Sequence, residues 1–320
     1  MTTRLPIIDL GPLRATDASR VEIDAVAAQI REACTTVGFF YVTNHGVPNV
    51  VIDRVIADSR AFYEQPEIEK RKVALDEHTH WRGWTGLGTE VTRNKRDWHE
   101  CLDIMTEVDD DASLLHSSSR LQSPLHGRNQ WPAHPPGMRD AVMAYFDAMK
   151  RVGKALMQGL SLSCGRERSF FADRFGDPWC LLRILSYPPQ PAQPAADVGI
   201  GVGEHTDYGC LTLLTATEPG LTVKTPDGTW LDAPPAPGAF VCNLGDAMET
   251  WTYGVYKATP HRVVASRERL YIPFFFDPSL DAMIEPIDSF RQPNAPRASP
   301  FRYGQYLLAA YRRSYPTITL

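Results

Sequence analysis

The stretch Gly203 to Leu214, GEHTDYGCLTLL, sets His205 and Asp207 two residues apart at the head of an apolar, threonine-containing run. In an extended strand, side chains i and i+2 leave the same face, so this pair could converge on one ion. Alone, the pair reads equally as a strand-end histidine beside a solvated aspartate, and so short a motif depends on its context. The context adds His261, the only histidine downstream, which lies in KATPHRVVAS, another β-like run. Two histidines and one carboxylate on a β scaffold form the set that suits non-haem Fe(II), with three positions left open on one face. Eight residues on, Arg269 opens RLYIPFFF. Alternation there puts Arg269, Tyr271, Pro273 and Phe275 on one face and Leu270, Ile272, Phe274 and Phe276 on the other. A guanidinium in such apolar sequence requires an anion, from the protein or from a ligand.

These residues must be positioned by a chain of 320 residues, 43% hydrophobic, long enough for one large β-rich domain or two smaller ones. A net charge of -5 leaves no electrostatic footprint for nucleic acid, and the basic cluster Arg93 to Arg96 reads as a solvated loop. No apolar run approaches bilayer length, and MTTRLPIIDL lacks the apolar core of a signal peptide, so a cytoplasmic location with no membrane partner is expected. Cys34, Cys101, Cys164, Cys180, Cys210 and Cys242 stand singly, with no C-x-x-C pair, and read as reduced core thiols. The oligomeric state is left open.

LPIIDL reads as a strand. Val26, Ile30 and Val37 mark one face of a helix that Gly38 ends, and FFYVTNHGV begins the next strand. Ile52, Val55, Ile56, Phe62 and Tyr63 recur at helical spacing, and His45, before Gly46, belongs to a turn rather than to a metal site. The polar, serine- and proline-rich segment 109–137 reads as a long surface loop with solvated His116, His126 and His134. Met138, Val142, Met149, Val152, Leu156 and Leu160 trace a long amphipathic helix. After Pro178, short alternating runs separated by Gly, Pro and Asp predict a β-sandwich or barrel. GIGVGEH leads into a strand pattern rather than a helix and so is no dinucleotide fingerprint. The chain also lacks H-E-x-x-H and G-x-S-x-G.

The assembled motifs resemble the isopenicillin N synthase-like family of Fe(II)/2-oxoglutarate-dependent dioxygenases. LPIIDL and GFFYVTNHGV resemble the family's N-terminal region, and RGWTGLGTE and DWHECLDI the strand region after it. SYPP, GEHTDYGCLTLL, NLGDAMETWTYGVYKATPHRVV and RLYIPFFFDP resemble its catalytic core, and YGQYLLAAYRRSYP its closing helix. The resemblance runs almost end to end. It implies an α+β fold: a double-stranded β-helix (jelly roll, cupin-like) core with supporting helices. The expected organisation is an N-terminal α/β region over 1–110 packed on the core, a loop over 111–137, and over 138–320 the long helix, the catalytic core and a C-terminal helix.

The resemblance further implies that His205, Asp207 and His261 hold Fe(II), and that Arg269 grips the distal carboxylate of a 2-oxoglutarate co-substrate with Tyr187 close by. With O2 the reaction would hydroxylate or desaturate a small molecule and release succinate and CO2. One departure is Tyr271, where the family usually has the serine of Arg-x-Ser. A phenol can donate the same hydrogen bond but takes far more room. That leaves open an iron oxidase of the isopenicillin N synthase type using no 2-oxoglutarate, and also a non-catalytic ligand-binding β-barrel. In LLRILSYP, alternation sets Arg183, Leu185 and Tyr187 on one interior face, so Arg183 is an interior cation needing a carboxylate from the protein or the substrate. Phe275 offers an apolar wall, and His99 and Glu100 offer polar contacts near the mouth. The expected substrate is a small, partly apolar molecule with a polar anchor. The interval from His261 to Arg269 reads as a tight hairpin turn.

Overall fold

The computed structural model describes residues 4–76, 78–107, 125–189, 195, 197–199, 201–264, 267–291, 293 and 299–314. His116 and most of the expected 109–137 loop lie outside them. The first third runs β1 (Ile7–Asp9), α1 (Gly11–Arg14), α2 (Arg20–Thr36), β2 (Phe39–Thr43), α3 (Asn49–Tyr63), α4 (Glu67–Lys70), β3 (Gly83–Thr85), β4 (Val91–Thr92), β5 (Lys95–Arg96) and β6 (Glu100–Met105). The long helix α5 (Met138–Ser163) follows, then β7 (Trp179–Tyr187), β8 (Gly201–His205), β9 (Leu211–Ala216), β10 (Leu221–Lys224), β11 (Trp230–Asp232) and β12 (Phe240–Leu244). The chain continues with α6 (Asp246–Trp251), β13 (His261–Val264), β14 (Arg269–Asp277), β15 (Met283–Ile284), β16 (Phe301–Arg302) and α7 (Tyr303–Ser314).

Two sheets carry the site. The larger has the order β1-β2-β12-β9-β14-β7-β6-β3, and the smaller β11-β10-β13-β8. β13 and β14 therefore lie in different sheets, and the expected tight hairpin after His261 is instead a crossing from one sheet to the other. The strands β1, β2, β3 and β6 are hydrogen-bonded into the large sheet, flanking the later strands on both sides. The inner faces of the two sheets share one apolar cluster, in which Leu221, Val223 and Val263 of the small sheet meet Leu185, Tyr187, Leu214 and Tyr271 of the large one. This is the double-stranded β-helix.

The outer face of the large sheet packs on helices, and alternation explains how. In β14, Ile272, Phe274 and Phe276 are fully buried on the helix side, where Phe274 meets Phe146 of α5 edge-on at 5.1 Å. Burying each such side chain contributes roughly 1.5–3 kcal/mol. α5 lays Val142, Met149, Val152, Leu156 and Leu160 into this core at helical spacing. α2 starts at a capping box in which Ser19 and Glu22 satisfy each other's backbone N–H groups.

At the end of β14, Asp277 ties α7 to the loop after the H-x-D pair. It accepts hydrogen bonds from the Cys210 N–H and the Tyr303 hydroxyl, each at 2.7 Å. A Cβ on Gly209 would fall 2.0 Å from Asp277 Oδ1, so only glycine admits this approach. Burial pushes the Asp277 carboxyl up from 3.8 to about 7. Because its folded value lies above its unfolded one, the folded chain binds the extra proton in between. Stability is thus fullest at the acid side and falls as pH rises from 3.8 to about 7. Asp277→Asn keeps the acceptor and removes the ionisation. Across that window its stability relative to the unsubstituted protein should rise by about 1 kcal/mol or more, read as urea midpoints at each pH.

Candidate active site

His205 ends β8 and His261 begins β13, and the two are direct antiparallel partners. Their rings sit 4.3 Å apart between centroids. Each ring is oriented by its own strand: His205 Nδ1 faces the Gly203 carbonyl at 2.8 Å, and His261 Nδ1 faces the Thr259 carbonyl at 3.1 Å. A ring nitrogen against a carbonyl must carry the proton, which leaves the Nε2 lone pair free to bind a metal. The two Nε2 atoms lie 3.7 and 3.5 Å from Asp207 Oδ1. Asp207 Oδ2 is occupied otherwise, accepting from Thr212 Oγ1 and Asn243 Nδ2, both at 2.6 Å.

The electrostatics suit a cation. Burial alone would raise the Asp207 carboxyl, but His261, His205 and the Thr212 and Asn243 donors hold it below its ordinary value. Burial and the neighbouring His205 push the His261 imidazole down, against the opposing pull of Asp207. All three ligand atoms fall within 4.8 Å of one another. Donors sharing one small divalent ion, with bonds near ~2.1 Å, stand roughly 3 Å apart, which small side-chain adjustments here supply. Two imidazoles and one carboxylate are the donor set of a non-haem Fe(II) centre.

Arg269, at the start of β14, is 3% exposed. Its Nη1 donates to the Pro219 carbonyl, and its guanidinium packs on the rings of Tyr187 at 4.9 Å and Tyr271 at 5.3 Å. Among the described residues Nε and Nη2 have no hydrogen-bond partner. A buried guanidinium with two N–H groups unmet is costly, and a carboxylate is the group that fits its fork. The approach depends on Gly220, whose Cβ would fall 1.7 Å from Arg269 Nη1 and whose φ is +146. These residues therefore fit both an iron ion and a dicarboxylate.

The inner faces of the sheets enclose a cavity of about 590 Å³ lined by all three candidate ligands and by Tyr187, Tyr271, Phe275 and Arg183. Arg183, Leu185 and Tyr187 of β7 and Tyr271, Pro273 and Phe275 of β14 line this cavity, and three of the expected polar contacts have protein partners of their own. Arg183 lines the cavity but is paired by the protein: its Nε donates to Asp103 at 2.8 Å and its Nη2 to Glu90 at 2.7 Å. Glu100 does not reach the mouth, because it has the opposite parity in β6 and turns to Lys70 at 2.5 Å and the Trp84 indole at 2.9 Å. His99 is buried against Glu90 at 2.7 Å rather than lining the cavity. His45 is a turn residue as expected, accepting from the Val47 N–H at 3.1 Å.

Several residues of the site were not singled out from the sequence. Thr212 and Asn243 buttress Asp207, and Glu90, Asp97 and Asp103 line the cavity. Alternation offered a signal for one of them, since Thr212 shares parity with inward Leu214 in β9; Asp103 is set opposite Arg183 by the β6–β7 register of the folded chain.

Two family models match the chain: "non-haem dioxygenase in morphine synthesis N-terminal" over residues 5–134 and "2OG-Fe(II) oxygenase superfamily" over residues 178–278. A homoarginine-6-hydroxylase of Glycine max is 34% identical over 90% of this chain and 89% of its own length. The chain belongs to the 2OG-Fe(II) oxygenase superfamily. The 2-oxoglutarate-Fe(II) type oxidoreductase hxnY of Emericella nidulans is 33% identical over 98% of this oxygenase and 91% of its own length. Among solved structures, a full-length Neurospora crassa protein in complex with alpha-KG and thymine superposes with a TM-score of 0.81 at 26% identity, covering 96% and 97% of the two chains. The oxygenase is therefore an oxidoreductase of the Fe(II)- and 2-oxoglutarate-dependent class, and the 2-oxoglutarate-dependent reading prevails over both alternatives. No helix among the described residues is long and apolar enough to cross a membrane.

Proposed function

We propose that His205, Asp207 and His261 hold Fe(II), that Arg269 and Tyr271 receive the distal carboxylate of 2-oxoglutarate beside Tyr187, and that a small molecule is hydroxylated in the 590 Å³ cavity. The observation that carries this reading is the buried Arg269 fork with two unmet N–H groups, inside the same β-sandwich as the three converging ligand atoms. Hydroxylation is favoured over desaturation by the name of the Glycine max relative. Fe(II) held at this site would activate O2, the oxidant, with two electrons coming from 2-oxoglutarate as it is oxidised to succinate and CO2 and two from the substrate as it is hydroxylated.

The chain's own residues perform the positioning. One carboxylate against a dication leaves a net positive centre that suits an anionic co-substrate, and the backbone carbonyls of Gly203 and Thr259 keep both imidazoles turned inward. Phe39, Leu185, Leu214 and Phe275 keep water from the cavity wall. Residues 1–110 act as an extension of the catalytic core at 138–320 rather than as a separate module. Six unpaired buried cysteines support a reducing, cytoplasmic setting.

A hydroxyl on a charged partner contributes about 1.5–3 kcal/mol, so Tyr271→Phe should weaken 2-oxoglutarate binding by roughly tenfold or more. Unchanged affinity would place the hydroxyl away from the co-substrate. The proposal itself is tested by titrating Fe(II) into the metal-free protein while assaying succinate. Iron-dependent succinate supports it; turnover without 2-oxoglutarate, or none with saturating iron and candidate substrates, refutes it.

A further inference from the structure

Asp97 lies between β5 and β6 on the cavity wall and is 3% exposed. Its only side-chain hydrogen bond is from Thr92 Oγ1 to Oδ2 at 2.7 Å, which leaves Oδ1 without a donor among the described residues. It forms no ion pair among the described residues, and it lines the same cavity as His205. Burial pushes the carboxyl up to about 6. Glu90 and Asp103 on the same wall are held by Arg183. Asp97 is therefore a wall acid with no lysine or arginine partner among the described residues, its only favourable charges being the imidazoles of His99 and His205, and buried carboxylates are ordinarily paired.

The mouth carries the opposite sign. Arg93 and Arg313 both line the cavity and are exposed. Arg93 makes one long contact, 3.4 Å to Glu204, and stands in the β4–β5 turn where it and Asn94 have φ of 50 and 62. An acid inside and two arginines at the rim form a dipolar cavity.

We propose that Asp97 receives a cationic N–H group of the substrate, an ammonium or guanidinium, while a substrate carboxylate meets Arg93 and Arg313 at the mouth. The substrate class is then a zwitterionic molecule with a basic end, such as a basic amino acid. This rests on the function proposed above and goes further, naming the residue that selects the substrate. The Thr92 hydroxyl and the backbone bonds of Asp97 to Gly88 and Glu90 would be served as well by asparagine, so a purely structural role would not need the charge.

The test is calorimetric titration of the anaerobic Fe(II) and 2-oxoglutarate holoenzyme with two isosteric pairs, L-arginine against L-citrulline and L-lysine against L-2-aminoheptanoic acid. The cationic member of at least one pair should bind about tenfold or more tighter than its neutral partner. Asp97→Asn should reduce that preference below about twofold, and Asp97→Glu should retain part of it. The inference is overturned if the neutral members bind as tightly, if none of the four binds, or if Asp97→Asn keeps the preference. The pair comparison on the unsubstituted enzyme decides alone should Asp97→Asn not fold. The visible charge-transfer absorption of 2-oxoglutarate on Fe(II), recorded on the same samples, separates failures. Its absence refutes the proposed cofactor residues and this inference with them, whereas its presence without cation preference refutes only Asp97.

Discussion

Replacing His261 with alanine should lower iron affinity by more than about 100-fold and abolish succinate formation. Loss of an outer hydrogen-bonding partner alone typically costs 10–100-fold, and His261 is proposed as a direct ligand. Its ring is buried, meets Phe39 edge-on at 5.1 Å, and presents Nε2 at 3.5 Å from Asp207 Oδ1. Among the described residues no other group of histidine, cysteine, aspartate or glutamate converges in this way, so no substitute ligand is at hand. The fold should persist, because the apolar contacts between the sheets extend well beyond this ring. Anaerobic calorimetry with Fe(II), beside a circular dichroism spectrum of the variant, measures both. Near-normal iron affinity in a folded variant would remove His261 from the centre.

Arg269→Ala should weaken 2-oxoglutarate by about 100-fold or more while leaving Fe(II) affinity within about twofold. Two charge-assisted N–H bonds at 1.5–3 kcal/mol each are lost at a buried position, and nothing replaces the cation. Arg269→Lys keeps the charge but not the planar fork, and its affinity should fall between the two. Tyr187 and Tyr271, whose rings pack on the guanidinium, would face a void in the alanine variant, so some of the loss reflects their movement. Dissociation constants for 2-oxoglutarate on the anaerobic iron-loaded variants check this. Equal affinity in Arg269→Ala would mean that the co-substrate carboxylate is held elsewhere.

Period-two alternation made the interior of β14 legible in the sequence, since a strand of nine residues with helices on one side and a cavity on the other has one parity for each. The same rule brought Arg183, Leu185 and Tyr187 inward on β7. It failed at Glu100 because the choice in β6 was made on chemical type rather than parity: Cys101, Asp103 and Met105 face the cavity side, and Glu100 does not. The partners of Arg183 were not legible, because Asp103 and Glu90 stand 80 and 93 residues away and meet it only through the β6–β7 pairing and the loop before β4. The crossing after His261 was missed for a similar reason. A short interval between two strands is compatible with either a hairpin or a change of sheet, and long-range pairing makes that choice. The H-x-D pair itself was local, but only His205 lies in a strand, at the end of β8; Asp207 stands in the loop after it, and the ligand atoms converge there.

The most direct measurement is an anaerobic titration of the Fe(II)-loaded protein with 2-oxoglutarate, followed by visible absorption. The expected result is a charge-transfer band that saturates at about one 2-oxoglutarate per chain, disappears in His261→Ala for want of iron, and requires far higher 2-oxoglutarate in Arg269→Ala. A protein that binds iron with native affinity yet shows no band at saturating 2-oxoglutarate, or a band unaffected by both substitutions, would contradict the assignment of this cavity as the Fe(II) and 2-oxoglutarate site.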